Sequence, residues 1–444
     1  MLPATLTRLN ALAMVVGTII GASIFVQPSE IARHLSTPGE IMLVWFACGV
    51  LTLFGAFVCA ELASAFPQTG GLYVFLRETF SPLAGFLWGW AMFWSVHTGI
   101  IAAIATVFAR YTAHFIDDGN VGDAGIRTIA VGVILCVSAL TAAGMRIGTR
   151  VQTALTILKV AAIAALVAIG VAYVASHGAT ATTAAPQASE GGFSGFLLAM
   201  VAGLFAYGGW HIVTYTAGET VMAARNIPFA LVAGVSVVTA CYITLNQLYL
   251  LLLPLDTVRS STRIAADAAD AVLGGGGAAF MAALVMLSSL GGLVGLVLSG
   301  PRVYYSMGQD GLAFRWLANV SRDRGTPTAA IGLQAIWASV LAATGAYREI
   351  FTRVIYTEWI FFALMAAGLF VLRQRRGYNP AFRTPGYPIV PLVFIVASLA
   401  IVVNQLVRTP MHALTGLGLV VLGIPVYYLG PGSREPKARS PEPT

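Results

Sequence analysis

Apolar residues run along this chain in stretches of about 20 or more, the length a helix needs to cross a bilayer, separated by short polar loops. Twelve such stretches are readable, near residues 10–34, 39–64, 82–114, 126–145, 151–175, 193–218, 227–253, 275–307, 328–346, 350–373, 388–407 and 411–429. In hydrocarbon every backbone group must be paired, so the pattern predicts an all-α membrane protein of 12 transmembrane helices.

The first stretch departs from a plain span. From Asn10 to His34 it is long enough to cross, yet the small residues Gly17, Gly21, Ala22 and Ser23 weaken the helix at its middle. A helix is interrupted at that depth only where the freed N–H and C=O groups face protein or a wet cavity. N–H groups of a half-helix starting near Ser23 carry partial positive charge, and carbonyls ending the half before Gly21 carry partial negative charge. A zwitterion fits between them. A secretory signal built on Arg8 and an ordinary Gly-containing span are the competing readings.

The sixth stretch repeats the anomaly, with Tyr207-Gly208-Gly209-Trp210 in its interior. Stretches one and six each open a set of five. An odd number of spans inverts the second set in the membrane, so broken leaders in both sets predict a 5+5 inverted repeat with broken helices 1 and 6 and a site at the midplane. The predicted organisation is a single transmembrane domain over residues 1–430. Repeat one covers about 10–175, repeat two about 193–373, and extra helices about 388–429; a disordered cytoplasmic tail follows at 431–444.

Composition agrees: 58% of the 444 residues are hydrophobic, 10% are charged and mean hydropathy is +0.82. A net charge of +7 invites a nucleic-acid reading, but placement decides against it. With the N-terminus inside, sixteen basic residues fall in cytoplasmic segments and eight outside, which predicts both termini in the cytoplasm, in a cell inner membrane. The outer connection at Asp117, Asp118 and Asp123 is acidic, and the connection from Pro254 to Gly277 has room for a short surface helix. Cys48, Cys59, Cys136 and Cys241 lie inside apolar stretches without metal spacing; they read as small core residues, with no disulfide framework, metal site or cofactor.

Lys159 is one of two lysines in the chain and sits inside stretch five. A lysine at a helix centre costs about 2.5–3.5 kcal/mol on insertion, so it is expected to face the interior and have partners. Snorkelling is the alternative, but nine residues beyond Arg150 is about 13 Å of helix, a long reach. Glu358 is a second intramembrane charge, read equally as a pocket group favouring cationic substrates or as an outer-surface group near Arg353; Glu61 and Glu219 read as span ends near cytoplasmic arginines.

Gly17-Thr-Ile-Ile-Gly21-Ala-Ser-Ile-Phe25-Val-Gln-Pro28 resembles the first-helix motif of the amino acid, polyamine and organocation transporter superfamily. Phe205-Ala-Tyr-Gly-Gly-Trp210 resembles the sixth-helix motif of its L-type amino acid transporter branch. Glu61-Leu-Ala-Ser-Ala-Phe-Pro-Gln-Thr-Gly-Gly-Leu-Tyr73, Arg225-Asn-Ile-Pro228, Arg302-Val-Tyr-Tyr-Ser-Met-Gly-Gln-Asp-Gly311 and Phe382-Arg-Thr-Pro-Gly-Tyr-Pro388 extend the resemblance over nearly the whole chain. It implies sodium-independent transport or exchange of amino acids; neutral amino acids are the expected substrates. It also implies that N–H groups around Gly21, Ala22 and Ser23 hold the substrate carboxylate, and that carbonyls of Ile19, Phe205 and Gly208 hold its ammonium. Phe205 would cover the pocket, Ala206 would belong to its wall, and Trp359 would border the side chain. Lys159 would replace the sodium ion of coupled relatives by reaching carbonyls near Gly21 and the hydroxyls of Ser288 or Ser289. The chain departs from the family's Gly-Ser-Gly by Gly21-Ala22-Ser23, and His211 stands just past the second break, as a structural partner or a pocket group tuning selectivity. Animal members pair with a glycoprotein through an extracellular cysteine; with no cysteine in an outer loop, no such disulfide-linked subunit is expected.

Rival classes are a sodium symporter of the same fold, a carrier of cationic amino acids or amines, an ion channel and an intramembrane enzyme. No filter-like loop supports a channel, and no His-Glu-x-x-His or Gly-x-Ser-x-Gly supports an enzyme.

Overall fold

The computed structural model describes residues 2–116, 121–179, 192–346 and 356–430. Asp117, Asp118, Arg353 and the tail 431–444 lie outside the described residues. Helices make up nearly all of the rest; among the described residues there is no strand, only an isolated bridge between Leu6 and Thr220.

The first apolar stretch is two helices. α1 (Arg8–Ile19) starts at a reciprocal cap, in which Thr7 Oγ1 accepts from the Asn10 N–H at 3.3 Å and the Thr7 N–H donates to Asn10 Oδ1 at 3.1 Å. After the break a short 3-10 turn (Ser23–Phe25) leads into α2 (Gln27–Arg33). α3 (Pro38–Ala65) is a continuous rod capped by Thr37 and Glu40. α4 (Leu72–Thr79) precedes α5 (Pro82–Ala91) and α6 (His97–Ile116), which form one run interrupted by a π turn at Met92–Val96. α7 (Asp123–Ala142) and α8 (Met145–His177) follow.

α9 (Phe193–Ala206) ends at the glycine pair, and the chain continues as a 3-10 run, Trp210–Glu219, rather than as a second α-helix. Gly209 has φ +95°, a left-handed geometry that makes glycine the residue of choice at this break. Next come α10 (Ala223–Leu252), α11 (Leu255–Ser260), α12 (Ile264–Leu273), α13 (Gly277–Ser299) and α14 (Pro301–Gln309). The chain closes with α15 (Thr328–Thr344), α16 (Thr357–Arg373), α17 (Ile389–Arg408), α18 (Pro410–Val421) and α19 (Gly423–Leu429).

Nine helical runs among the described residues are long and apolar enough to cross a membrane, while α1 and α15 are apolar but shorter. The α13–α14 run is the most central, with 78% of its most apolar 18 residues buried; in α17 and the α18–α19 run that share is 22%, and they stand at the edge. α1, α3, α8, α10 and α13 pack around the breaks. Glycines set the closeness: a Cβ on Gly49 of α3 would meet the Thr239 side chain of α10 at 2.4 Å, and one on Gly17 of α1 would meet Thr156 Oγ1 of α8 at 2.2 Å.

Two expectations need correction. The connection after Pro254 holds two helices, and the second is no surface helix: Ile264, Ala265, Ala266, Ala268 and Ala269 of α12 are buried, because its apolar face packs on α13. Cys136 is exposed rather than a core residue, since only 28% of the most apolar 18 residues of α7 are buried.

Glu61 and Glu219 do meet arginines. Arg302 Nε and Nη2 lie 2.9 and 3.1 Å from the two Glu219 oxygens, with 1% and 0% of the side chains exposed. Arg373 holds Glu61 at 2.9 and 2.6 Å. Removing one member of such a buried pair strands the other charge. Arg302→Met is expected to lower stability by about 3–5 kcal/mol, with part of the loss recovered in the Arg302→Met/Glu219→Gln double variant, as measured by thermal unfolding in detergent.

Candidate functional site

The two breaks face each other. Thr18 Oγ1, at the end of α1, donates to the Gly209 carbonyl at 3.3 Å, and a Cβ on Gly209 would stand 3.5 Å from the Thr18 carbonyl. Tyr242 Oη, on α10, lies 3.0 Å from the Ile19 carbonyl and 3.1 Å from that of Ala206, so one phenol braces both helix ends. At the first break the Gly21 N–H turns back to the Ile19 carbonyl at 2.8 Å, and among the described residues no backbone carbonyl accepts from Ala22, Ser23 or Ile24. Those free donors sit at the start of the second half-helix, where partial positive charge collects. Gly21, Ala22 and Ser23 are half-buried.

At the second break the Phe205 carbonyl takes the Gly208 N–H at 3.1 Å and the Ile19 carbonyl takes two donors, which leaves Gly208 C=O as the carbonyl without a partner among the described residues. Gly208 and Phe205 are exposed, Phe205 by 45%, while Ile19 and Ala206 are buried.

Lys159 does not snorkel. It is fully buried, and its Nζ donates to the carbonyls of Gly17 at 2.8 Å, Ile20 at 2.7 Å and Ser288 at 3.4 Å. The expected partner hydroxyls are replaced by a carbonyl: Ser288 Oγ and Ser289 Oγ have no partner among the described residues, because the ammonium reaches the backbone of α13 before any side chain. Gly291 leaves room for this approach, since a Cβ there would stand 2.9 Å from Nζ.

On the side of the molecule that carries the N-terminus, hydrogen bonds tie the segments beneath these breaks together, beside an open hollow of about 430 Å³ lined by residues such as Pro67, Thr220, Met222 and Arg225. N–H groups of Thr5 and Leu6 both donate to the Glu219 carbonyl at 2.9 Å, and the Val221 N–H donates to the Leu6 carbonyl at 2.9 Å. Ser306 Oγ donates to the Thr69 carbonyl at 2.6 Å, Tyr73 Oη donates to Asp310 at 2.7 Å, and Arg77 also pairs with Asp310. On the other half a cavity of about 260 Å³ is lined by residues such as Phe25, Arg110, Tyr111 and Arg263. Arg259 of α11 anchors α2 there, donating to the carbonyls of Leu35 and Ser36 at 3.0 Å.

His211 and Glu358 come together, with Nε2 and Oε1 3.6 Å apart. Arg353, the neighbour in the outer-surface reading of Glu358, lies outside the described residues. Trp359 packs against Phe362 and Phe394, ring centroids 5.6 and 6.4 Å away, and is half-buried beside the second break.

Residues 6–429 match the family model described as amino acid permease. The chain belongs to the amino acid permease family. Among its relatives, the serine/threonine exchanger SteT of Bacillus subtilis (strain 168) is 31% identical over 95% of this permease and 95% of its own length. The b(0,+)-type amino acid transporter 1 of Mus musculus is 26% identical over 95% and 86%. The large neutral amino acids transporter small subunit 2 of Oryctolagus cuniculus is 27% identical over 95% and 79%. The resemblance to the L-type branch is therefore confirmed, and the permease is a membrane transporter of amino acids.

Four residues of this permease's polar interior were not singled out from sequence: Tyr242, His97, Tyr215 and Tyr304. Each lies inside an apolar stretch; the fold brings Tyr215 and Tyr304 to the two ring nitrogens of His97, and places Tyr242 separately, on the Ile19 and Ala206 carbonyls. A free backbone donor set leads to a direct test. A Cβ on Gly21 finds no protein atom nearer than the Ile19 carbonyl at 4.0 Å, so Gly21→Ala is expected to leave thermal stability within about 0.5 kcal/mol. If a substrate carboxylate docks on the neighbouring free N–H groups, the added methyl obstructs its approach, and KM for amino acid uptake is expected to rise roughly tenfold, or about 1.4 kcal/mol.

Proposed function

We propose that this permease is a sodium-independent transporter of neutral amino acids, an exchanger or proton-linked carrier working by alternating access. The reading is of a transporter and not of an enzyme. The observation that carries it is the Lys159 ammonium on the carbonyls of Gly17, Ile20 and Ser288. A fixed positive charge tying the first broken helix to α13 does there what a bound cation does when it gathers backbone oxygens from two elements. Relatives named as a serine/threonine exchanger and as a transporter of large neutral amino acids support exchange and a neutral substrate.

In this reading the substrate carboxylate takes the N–H groups of Ala22 and Ser23 beside Gly21, and the ammonium takes the Gly208 carbonyl, with those of Ile19 and Phe205 close by. Phe205 is the lid on the exposed side, Ala206 belongs to the wall, and Trp359 and His211 border the side chain. The conformation is the one closed on the N-terminal side, where Glu219 holds Arg302. Twelve spans in one domain of two inverted repeats, with both termini in the cytoplasm of an inner membrane, complete the proposal. All four cysteines lie within helices α3, α7 and α10, which supports a carrier without a disulfide-linked subunit.

The test is counterflow of a labelled neutral amino acid into proteoliposomes preloaded with the unlabelled compound, in sodium-free choline medium. The expected rate is within about twofold of that in sodium; a loss of tenfold or more, some 1.4 kcal/mol of coupling, contradicts the reading.

A further inference from the structure

A group of proton-exchanging side chains lies outside the backbone frame that the substrate is assigned. His211 stands one residue into the 3-10 run that follows the second break, and its Nε2 is 2.9 Å from Tyr215 Oη and 3.6 Å from Glu358 Oε1. Tyr215 Oη is 3.4 Å from His97 Nε2, and His97 Nδ1 is 3.3 Å from Tyr304 Oη. His211, Tyr215, His97 and Tyr304 are buried, and the Glu358 side chain is 13% exposed. His211 Nδ1 has no partner among the described residues. Rings of Trp88, Trp210, Tyr215 and Phe362 surround the imidazole with centroids 5.0–5.8 Å away, an aromatic cage of the kind that suits a cation. His97 follows directly on the π turn at Met92–Val96, a distortion frequent at functional sites.

The charges facing this cluster are spoken for. From α3 and α16 come Glu61 and Arg373, paired with each other; from α4 and α14 come Arg77, Glu78 and Asp310, joined through Arg77; and Arg302 of α14 holds Glu219. Arg8 of α1 lies over the Phe229 ring, and Arg225 of α10 is exposed. The remaining titratable groups on the packed elements are Glu40, Cys48 and Cys59 of α3, Tyr73 of α4, Tyr305 of α14, and Cys241, Tyr242 and Tyr249 of α10, while α5 and α13 carry none and α17 has none before Arg408. His211 and Glu358 therefore answer to each other. With one proton between them the pair is neutral, as imidazolium and carboxylate or as imidazole and carboxylic acid. With none it leaves a bare buried anion, and with two a bare buried cation, each costly in this surrounding.

The structure assigns the His211–Glu358 pair as a proton-binding site that couples amino acid transport to proton movement. The inference rests on the transport reading above and goes beyond it. The two partners sit on different elements, the carboxylate on α16 and the imidazole on the 3-10 run whose far end closes the N-terminal side. Their proximity belongs to the closed conformation, and that conformation keeps one proton on the pair. When the N-terminal side opens and the run moves away, water reaches both groups; near neutral pH the separated, hydrated pair is carboxylate plus neutral imidazole, so one proton passes to the water on that side. Tyr215, His97 and Tyr304 extend the pair as a chain of exchangeable hydrogens. By linkage, acid favours the conformation closed on the N-terminal side.

Two measurements on the full-length protein test this, and the first needs no transport. Acid–base difference titration in detergent between pH 5 and 8 is expected to show wild type binding about one proton per chain more than Glu358→Gln, with His211→Gln deviating from wild type as well. Superimposable titrations of all three proteins overturn the proposal whatever transport does. Separately, in counterflow, KM of wild type is expected to change by about fivefold or more across the same pH range, and Glu358→Gln to be flat within twofold. A Glu358→Gln protein that keeps the full wild-type pH profile overturns the coupling, and sodium-free counterflow by wild type shows that the transport reading itself stands.

Discussion

Lys159 Nζ meets three backbone carbonyls at 2.7–3.4 Å, with no solvent contact, at the place where the first apolar stretch stops being a helix. An ammonium has three protons and no acceptor lone pair, and here each proton has one oxygen. Two of those oxygens, on Gly17 and Ile20, are carbonyls that the break in α1 deprives of their helical partners. The third belongs to α13, the run most enclosed by the rest of the protein. The interaction thus answers two problems at once: a charge that hydrocarbon does not tolerate, and backbone oxygens that hydrocarbon does not tolerate either.

The rest of the site depends on that anchoring. With the end of α1 held against α8 and α13, Thr18 and Tyr242 fix the second break against the first, and the N–H groups of Ala22, Ser23 and Ile24 have no backbone partner among the described residues. Close helix approach is a precondition. Gly17 and Gly291 are the positions where a methyl would strike Thr156 and Lys159, so small residues here make room for polar contacts rather than merely easing packing. Away from the breaks, the N-terminal side is tied together by paired charges and by backbone hydrogen bonds of residues before α1. Both kinds of contact exchange with water at modest net free energy, as a closure that must reopen requires.

Much of this was legible in the sequence because the bilayer restricts the choices. Long apolar runs can only be helices, and Gly21 and Gly208-Gly209 mark breaks because interruption at that depth needs a reason. Lys159 was readable as an interior group for the same cause. Its third partner was misjudged as a Ser288 or Ser289 hydroxyl, since sequence shows side chains and hides the backbone oxygens that a kinked helix frees. The pairing of His211 with Glu358, and the link from Tyr215 through His97 to Tyr304, were hidden because they join residues far apart in the chain; only His211 and Tyr215, four apart, share a local spacing. The 3-10 geometry of Trp210–Glu219 and the π turn at Met92–Val96 were equally invisible, as both follow from packing and not from local propensity.

The claim that a lysine ammonium holds the first break in place is tested most directly by amide hydrogen exchange across the last turn of α1, Val16 to Gly21, in wild type and in Lys159→Met. Loss of the ammonium is expected to speed exchange there by about tenfold or more, equivalent to some 1.4 kcal/mol of local stability, while amides in α3 and α10 keep their protection. Unchanged exchange in that turn would contradict the account.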